Sequence, residues 1–195
     1  MGNPLVSVIM PVYEKQEFLK EALDSLKNQT FQDFELILVG VEKNLAKALN
    51  KGIKMAKGKY IARMDSDDTC EPRRLERQVE LLDNNCVHMI YQSDGRESRM
   101  LYWNNIIHGS VMIRNGTFGL YNEKFKAAQD YELWLRTKFW KVCIKNIYNR
   151  RIHPNMTNRR KQTYYSMKAR LKYWREFDRT AWWHMLKSFG RLVCG

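Results

Sequence analysis

Three times within residues 5–82 the chain sets a β-rich apolar run ahead of a stretch with helical periodicity. "LVSVIMPVY" precedes Glu17 to Asn28, where Phe18, Leu19, Ala22, Leu23 and Leu26 keep the spacing of one helix face. "FELILVG", closed by Gly40, precedes Asn44 to Ala56, with Leu45, Ala48, Leu49, Ile53 and Ala56 apolar and Gly58 as the stop. "YIARMD" precedes a helix opened by Pro72, with Leu75, Val79 and Leu82 facing inward. That order predicts an α/β fold around a mostly parallel sheet. In such sheets ligands bind outside the carboxyl ends of the strands. Pro11-Val12-Tyr13, Gly40-Val41-Glu42 and the cluster Asp65, Asp67 and Asp68 all fall at those ends.

Further along, "IIHGSVMIRNG" predicts another strand and "YELWLRTKFW" a helix, while "SDGRES" reads as a turn or loop. Residues 163–189 follow a long basic helical pattern, with Tyr164, Met167, Leu171, Trp174, Ala181 and Met185 along one stripe. A chain of 195 residues is expected to build one domain, here residues 1–158, with 159–195 as a basic aromatic helical tail. That tail holds ten Lys or Arg against two acids, so it carries +8 of the formal +13. A basic tail on a nearly balanced body implies an anionic surface as partner, membrane or nucleic acid. Cys70, Cys86, Cys143 and Cys194 show no metal-ligand spacing and read as reduced cytosolic thiols. The first strand begins at Leu5, which leaves no room for a secretory leader, and no apolar run approaches membrane-spanning length. The expectation is a cytoplasmic protein, peripheral on the cytoplasmic membrane face.

The acidic cluster sits within a basic chain, and like charges this close repel unless something cationic lies among them. Two carboxylates one residue apart at a strand end can hold Mg²⁺ or Mn²⁺, whose remaining ligands are water and substrate phosphates. The plainer alternative makes Asp68 the cap of the helix opened by Pro72 and leaves Asp65 and Asp67 as loop residues. Asp130, likewise, can be only a first-turn carboxylate favoured by the helix dipole.

"VSVIMPVYEKQEFLKEALDSLKNQTFQDFELILV", "NLAKALNKGIKMAKGKYIARMDSDDTCEPRRLERQVELL", "HGSVMIRN" and "QDYELWLR", in that order, resemble glycosyltransferase family 2 over roughly residues 4–157. The resemblance implies a single Rossmann-like GT-A domain, inverting chemistry, a nucleotide diphospho-sugar donor, and Mn²⁺ or Mg²⁺. On it, Pro11, Val12, Tyr13 and Glu14 match the loop around the nucleotide base. Asp65 matches the acid that faces the ribose, Ser66 lies with it on the donor side, and Asp67 matches the metal ligand. His108 and Gly109 match the acceptor-side strand entry, and Asp130 the general base. Trp134 and Arg136 match the helix that follows, with Trp134 on the acceptor side. His153, in "RRIHPN", matches a residue that approaches the diphosphate or metal. The implied acceptor is a glycan or a lipid-linked hydroxyl.

The chain also departs from the family. Where members carry "DDGSTD" after the second strand, it has "VGVEKN", with Glu42 the one acid left to substitute, as if a helix and a strand were removed. Asp130 follows Gln129 rather than Glu. Lys47 and Lys51 read as a solvated helix face rather than phosphate contacts. Two rivals stand beside the transferase: a donor-binding protein without turnover, and a nucleic-acid binder using the tail. The second is disfavoured because the body has no basic stripe.

Overall fold

β1 (Val6–Val12) is buried along all but its last residue, as befits an apolar run covered on both faces. It pairs in parallel with β2 (Phe34–Gly40) from Val6↔Phe34 to Val12↔Gly40. On its other side it pairs in parallel with β3 (Tyr60–Arg63), from Val6↔Tyr60 to Ile9↔Arg63. In this computed structural model the described residues are 2–14, 17–85, 87–93, 104–137, 141–151 and 159–173. The six-stranded sheet continues through β6 (Met112–Arg114) and β5 (Met89–Tyr91) to β7 (Lys141–Cys143), in the order β2-β1-β3-β6-β5-β7. Among the described strands of this sheet only β6 runs against its neighbours, so the sheet is mostly parallel, as the alternation predicts. β4 (Thr69–Cys70) and β8 (Tyr148–Asn149) form a small antiparallel pair beside it.

Pro11 sits in β1 without breaking the sheet. Successive residues of β1 turn their peptide groups alternately to β2 and β3: Val12 accepts from Val41 on one side, Ile9 from Met64 on the other. Pro11 therefore faces β3, whose pairing has already ended at Arg63, and no ladder donor is lost.

The helices cover both faces. Val6, Val8 and Met10 pack on Ala22 and Leu26 of α1 (Leu19–Lys27) and on Leu75, Val79 and Leu82 of α3 (Arg74–Asn84). Ile9, Ile37, Val39 and Ile61 pack on Ala48 and Leu49 of α2 (Leu45–Met55). Asn44 caps α2, its Oδ1 accepting from the amides of Ala46 and Lys47. α3 begins two residues later than the proline predicts; the Pro72 carbonyl accepts the Thr30 amide in the turn ahead of it.

The expected strand over residues 106–116 is shorter. A single 3-10 turn, His108–Ser110, precedes β6, closed by the Ser110 hydroxyl donating to the Ile107 carbonyl at 2.6 Å. Two buried polar side chains of α3 hold this turn. Arg74 Nη2 donates to the carbonyls of Arg63 and Gly109 at 2.7 and 2.9 Å, and Gln78 Nε2 donates to that of Ser110 at 2.9 Å. Because β6 is antiparallel to β3, residues entering β6 lie beside residues leaving β3, and the Arg63 amide donates to the Val111 carbonyl at 2.8 Å.

α4 (Gln129–Arg136) starts two residues earlier than expected, and α5 (Arg159–Lys172) packs against it. The packing face differs from the apolar stripe that periodicity picks out. Ala169, Tyr165 and Tyr173 meet Phe125, Ala128, Tyr131 and Leu135, while Tyr164 and Leu171 of the expected stripe are 49% and 46% exposed. Glu132, buried on α4, explains the offset: it accepts from Tyr173 Oη at 2.7 Å and Lys172 Nζ at 3.1 Å, with Arg136 Nε at 3.5 Å. Burial alone would raise its pKa; those hydroxyl and cation contacts hold it below the ordinary value instead. Leu133 and Trp134 belong to the core, and Cys70 and Cys143 are free thiols. His153 and the tail beyond Tyr173, with Trp174, lie outside the described residues.

Gly109 is set by contact rather than by backbone conformation. A Cβ there would lie 2.0 Å from the Tyr148 hydroxyl oxygen and 2.4 Å from the ring carbon bearing it. Gly109→Ala is expected to lower unfolding stability by about 1–3 kcal/mol through this clash. A urea midpoint equal to that of the unsubstituted chain would show that Tyr148 yields freely.

Candidate active site

At the carboxyl ends of β1 and β2 the chain opens a cleft of about 410 Å³. Tyr13 and Glu42 line it from the strand ends, His108 from the turn before β6, and Asp130 from the first turn of α4. Residues separated by more than a hundred positions thus meet at one edge, the edge at which α/β sheets bind ligands. Lys43, Lys126 and Gln162 of α5 line it too, whereas Lys47 and Lys51 are exposed on α2 and stay outside it. Pro11 and Val12 support the cleft from within the sheet, and Glu14 is exposed beyond it.

The acidic cluster follows β3 and is divided by function. Arg63, buried, places both terminal nitrogens of its guanidinium on the two oxygens of Asp65. Here is the cation that the acidic run requires, and the chain supplies it from two residues upstream. Positions 63 and 65 share a face when a strand continues, so the pair forms locally. Burial alone would weaken the Arg63 charge, but the Asp65 carboxylate more than reverses this, and the guanidinium stays protonated.

Asp68 is not a helix cap. Its Oδ2 accepts from the Tyr148 hydroxyl at 2.7 Å and its Oδ1 from the Arg151 amide at 2.7 Å. The same tyrosine oxygen accepts the Asp65 amide at 3.0 Å, so one buried hydroxyl links the two acids. Burial, against those hydrogen bonds and with the charges of Asp65 and Asp67, pushes the Asp68 pKa up to about 6. Arg151 completes the frame: Nε donates to the Asp67 carbonyl at 3.0 Å, Nη2 reaches Glu21 at 2.6 Å, and the guanidinium lies 3.8 Å from the Phe18 ring centroid. Ser66 and Asp67, both partly buried, occupy the turn held between these clamps.

His108 Nε2 lies 2.7 Å from the Tyr121 hydroxyl, and its ring meets Trp134 edge-on at 6.0 Å between centroids. Burial first, and the nearby Arg63 charge second, hold its pKa well below the ordinary value, so it is neutral at pH 7. Asn50 of α2 fixes the Tyr121 backbone from both sides, accepting its amide at 2.8 Å and donating to its carbonyl at 3.0 Å. Asp130 accepts from Asn104 Nδ2 at 2.6 Å. Burial raises its pKa, opposed by its hydrogen bonds to the Tyr131 amide and Asn104 and by the Arg63 charge. Ala128, two residues earlier, takes a left-handed backbone (φ 51°), a local strain beside the site.

Tyr13, Glu42, His108 and Asp130 are therefore brought together, with Asp65 and Asp67 near enough to Tyr13 for their charges to act on its hydroxyl. Gly109 and Trp134 are buried behind this wall rather than in it. Sequence reading missed Arg63, Tyr148, Arg151 and Asn104; only Arg63 carried a signal, a lone charge inside an apolar strand run. Among the described residues no group of three or more His, Cys, Asp or Glu is placed to hold a metal ion. A divalent cation here would rest on one or two carboxylates plus ligand oxygens, which is the habit of Mg²⁺.

Comparison with known proteins agrees with this layout. The family model for glycosyl transferase family 2 matches residues 7–40 and 41–187. An uncharacterized glycosyltransferase of Methanocaldococcus jannaschii is 29% identical, over 76% of this chain and 67% of its own length. One from Rickettsia prowazekii is 30% identical, over 72% of this chain and 60% of its own. The chain thus spans about three fifths to two thirds of these relatives. The solved structure of the mannosyltransferase PcManGT from Pyrobaculum calidifontis, in complex with GDP-Man and Mn²⁺, superposes with a TM-score of 0.70 at 15% identity, covering 98% of this chain and 70% of that one. The fold is of the GT-A type. The family match divides between Gly40 and Val41, where β2 ends and four residues lead straight into α2, so the chain is a shortened member of the family. With its strand order, its acidic turn and a family match over nearly its whole length, the chain belongs to glycosyl transferase family 2.

Proposed function

We propose that the protein is an inverting glycosyltransferase, moving a sugar from a nucleotide diphospho-sugar to an acceptor hydroxyl on a glycan or lipid-linked substrate. The observation that carries this reading is Asp130: a partly buried carboxyl with a raised pKa, oriented by Asn104, in the cleft that Tyr13 and Glu42 line from the strand ends. A carboxylate of raised basicity suits proton removal from a hydroxyl. Asp130 takes the acceptor proton; the acceptor oxygen bonds to the anomeric carbon as the bond to the diphosphate oxygen breaks. The electron pair leaves with the nucleoside diphosphate, and attack from the opposite face inverts the centre.

The other residues bind and orient. Tyr13 and Glu42 flank the base side, and Lys43 and Lys126 bring positive charge to the cleft for an anionic donor. Asp65, held by Arg63, presents a fixed edge to the ribose, and neutral His108 faces the acceptor. The donor chemistry fits a divalent cation, and Asp67, in the turn after β3 and matched to the metal ligand by the family resemblance, would be its hard-oxygen ligand. Mn²⁺ or Mg²⁺ held there would supply positive charge against the departing diphosphate. The short β2–α2 connection favours a second reading, donor binding without turnover, because it leaves only Val41 to Lys43 to cover the base.

Stabilisation by a panel of UDP- and GDP-sugars with and without Mn²⁺ identifies the donor, since a ligand bound only to the native state raises the melting temperature. Asp67→Ala is expected to lose the Mn²⁺-dependent part of that shift; an undiminished Mn²⁺ effect would move the ligand elsewhere. Asp130→Asn is expected to keep the donor shift while nucleoside diphosphate release with acceptor falls by about two to four orders of magnitude. Release absent from the unsubstituted chain, with a normal donor shift, would establish binding without turnover.

The rate should also depend on pH in a definite sense. Asp130 acts as a base only when ionised, so activity falls as pH drops through its pKa. Because burial raises that pKa, the acid limb lies above that of an ordinary Asp. His108, held neutral, contributes no limb near pH 6.5. An acid limb that survives Asp130→Asn would assign it to another group.

A further inference from the structure

We infer that Tyr121 is a positioning residue that fixes which nitrogen of His108 carries the proton: its phenol donates to Nε2, so His108 stands as the Nδ1–H tautomer and shows the cleft a hydrogen-bond donor. The Tyr121 hydroxyl oxygen lies 2.7 Å from Nε2, within hydrogen-bond length. Distance alone does not say which atom donates; the surroundings do. Tyr121 stands behind His108 rather than in the cleft wall, and among the described residues its hydroxyl has no other acceptor. Asp65 and Asp130 are near enough for their charges to act on Tyr121, but Arg63 takes up the first and Asn104 the second, and neither bonds the phenol. Arg63 itself has no acceptor to offer. If Nε2 donated, the phenol hydrogen would be left unpaired away from the cleft. An unmade buried hydrogen bond is worth at least about fivefold in population, so the phenol donates. Burial pushes the hydroxyl pKa up, which keeps its proton in place to be given.

The contact is held from both sides. Asn50, which fixes the Tyr121 backbone, is itself anchored by donating from Nδ2 to Glu123 Oε1 at 2.9 Å. The His108 ring lies 5.6 Å from the Tyr121 ring and 6.0 Å from the Trp134 ring between centroids, inclined at 60° and 82°. In a neutral imidazole, the nitrogen that accepts a hydrogen bond leaves the proton on the other. That other nitrogen, Nδ1, has no hydrogen-bond partner among the described residues, yet it is not one of the buried polar atoms left without one. It therefore opens to the cleft that His108 lines. A general base needs a lone pair facing the substrate. The one lone pair of His108 points at Tyr121, so His108 takes no proton from a ligand and the base must be a carboxylate. What His108 offers is an uncharged N–H for a ligand oxygen. That this oxygen is an acceptor hydroxyl rests on the transfer reading; the tautomer does not.

The test uses the full chain, ligand-free at pH 7, with its histidines labelled with ¹⁵N. Two-bond ¹H–¹⁵N correlation spectra separate protonated from unprotonated ring nitrogens, and the His108 pattern is the one that His108→Gln removes. Nδ1 should read as protonated. Nε2 should read as unprotonated, displaced toward lower frequency as in a nitrogen that accepts a hydrogen bond. A protonated Nε2 overturns the inference. Tyr121→Phe keeps the ring and removes the donor, so the ratio of Nδ1–H to Nε2–H should fall by at least about fivefold. An unchanged ratio overturns the inference, because the tautomer would then be set by something other than the phenol. If that variant melts early, the Nε2 frequency of the unsubstituted chain decides: a value typical of an unbonded nitrogen overturns it. None of these readings needs turnover, so an inactive chain would defeat the transfer reading and leave this one standing.

Discussion

The ion pair between Arg63 and Asp65 is the constraint on which the site depends. A run of acids at the end of a central strand is repulsive, and a buried guanidinium without a counter-ion is costly; placed two residues apart, each removes the other's penalty. The pair does more than neutralise charge. The Arg63 carbonyl receives Arg74, its amide bonds Val111, and its charge reaches His108, Tyr121 and Asp130. It adds to the burial that keeps His108 neutral and, with the hydrogen bonds of Asp130, restrains the rise of the Asp130 pKa, so one buried cation acts on both groups at the cleft. Asp68, tied to Tyr148 and Arg151, then fixes the far end of the turn. Asp67 is carried between two anchored neighbours.

Shortening leaves this core intact because it falls at the sheet edge. Among the described residues β2 is the outermost strand and pairs only with β1, so loss of structure beyond Gly40 removes nothing that β1, β3 or β6 needs. What it alters is the wall of the cleft at the end of β2. Glu42 and Lys43 follow directly from β2 and turn at once into the Asn44 cap, whose Nδ2 also ties α2 to the Glu123 carbonyl at 2.9 Å. The acidic turn and the β2 wall of the cleft are thus separable, since they rest on different strands.

Much of this frame was legible in the sequence. β1 and β2 read correctly because both are continuous apolar runs of strand length, and α2 because Asn44 and the inward leucines marked its start and face. The meeting of Tyr13 and Glu42 followed from the rule for strand ends once the alternation was recognised, whereas His108 and Asp130 were found only through the family resemblance. Tyr148 and Arg151 were illegible for a plain reason: their partner Asp68 lies 80 and 83 positions away, and nothing local distinguishes a tyrosine that donates to a buried acid from one in the core. Which face of α5 packs was not legible because two stripes overlap. Periodicity weighs Leu171 above Tyr173, yet buried Glu132 needs a hydroxyl and an ammonium, and that demand turned the helix.

Glu132 and Asp130 show how one helical turn can serve two ends. Residues two apart on a helix point about 200° apart, so the acids of the first turn of α4 face opposite ways. Asp130 looks into the cleft with a pKa raised by burial. Glu132 looks to α5, where burial is overcome by Tyr173, Lys172 and Arg136 and the carboxylate stays charged. The difference lies in partners, not in burial: one amide side chain at Asp130, two cations and a phenol at Glu132. A short helix that begins at a strained Ala128 has little rigidity of its own. The ionic clasp at Glu132 supplies it from outside, so the position of the proposed base is set in part by a helix that is basic where it meets that acid and exposed where it turns away.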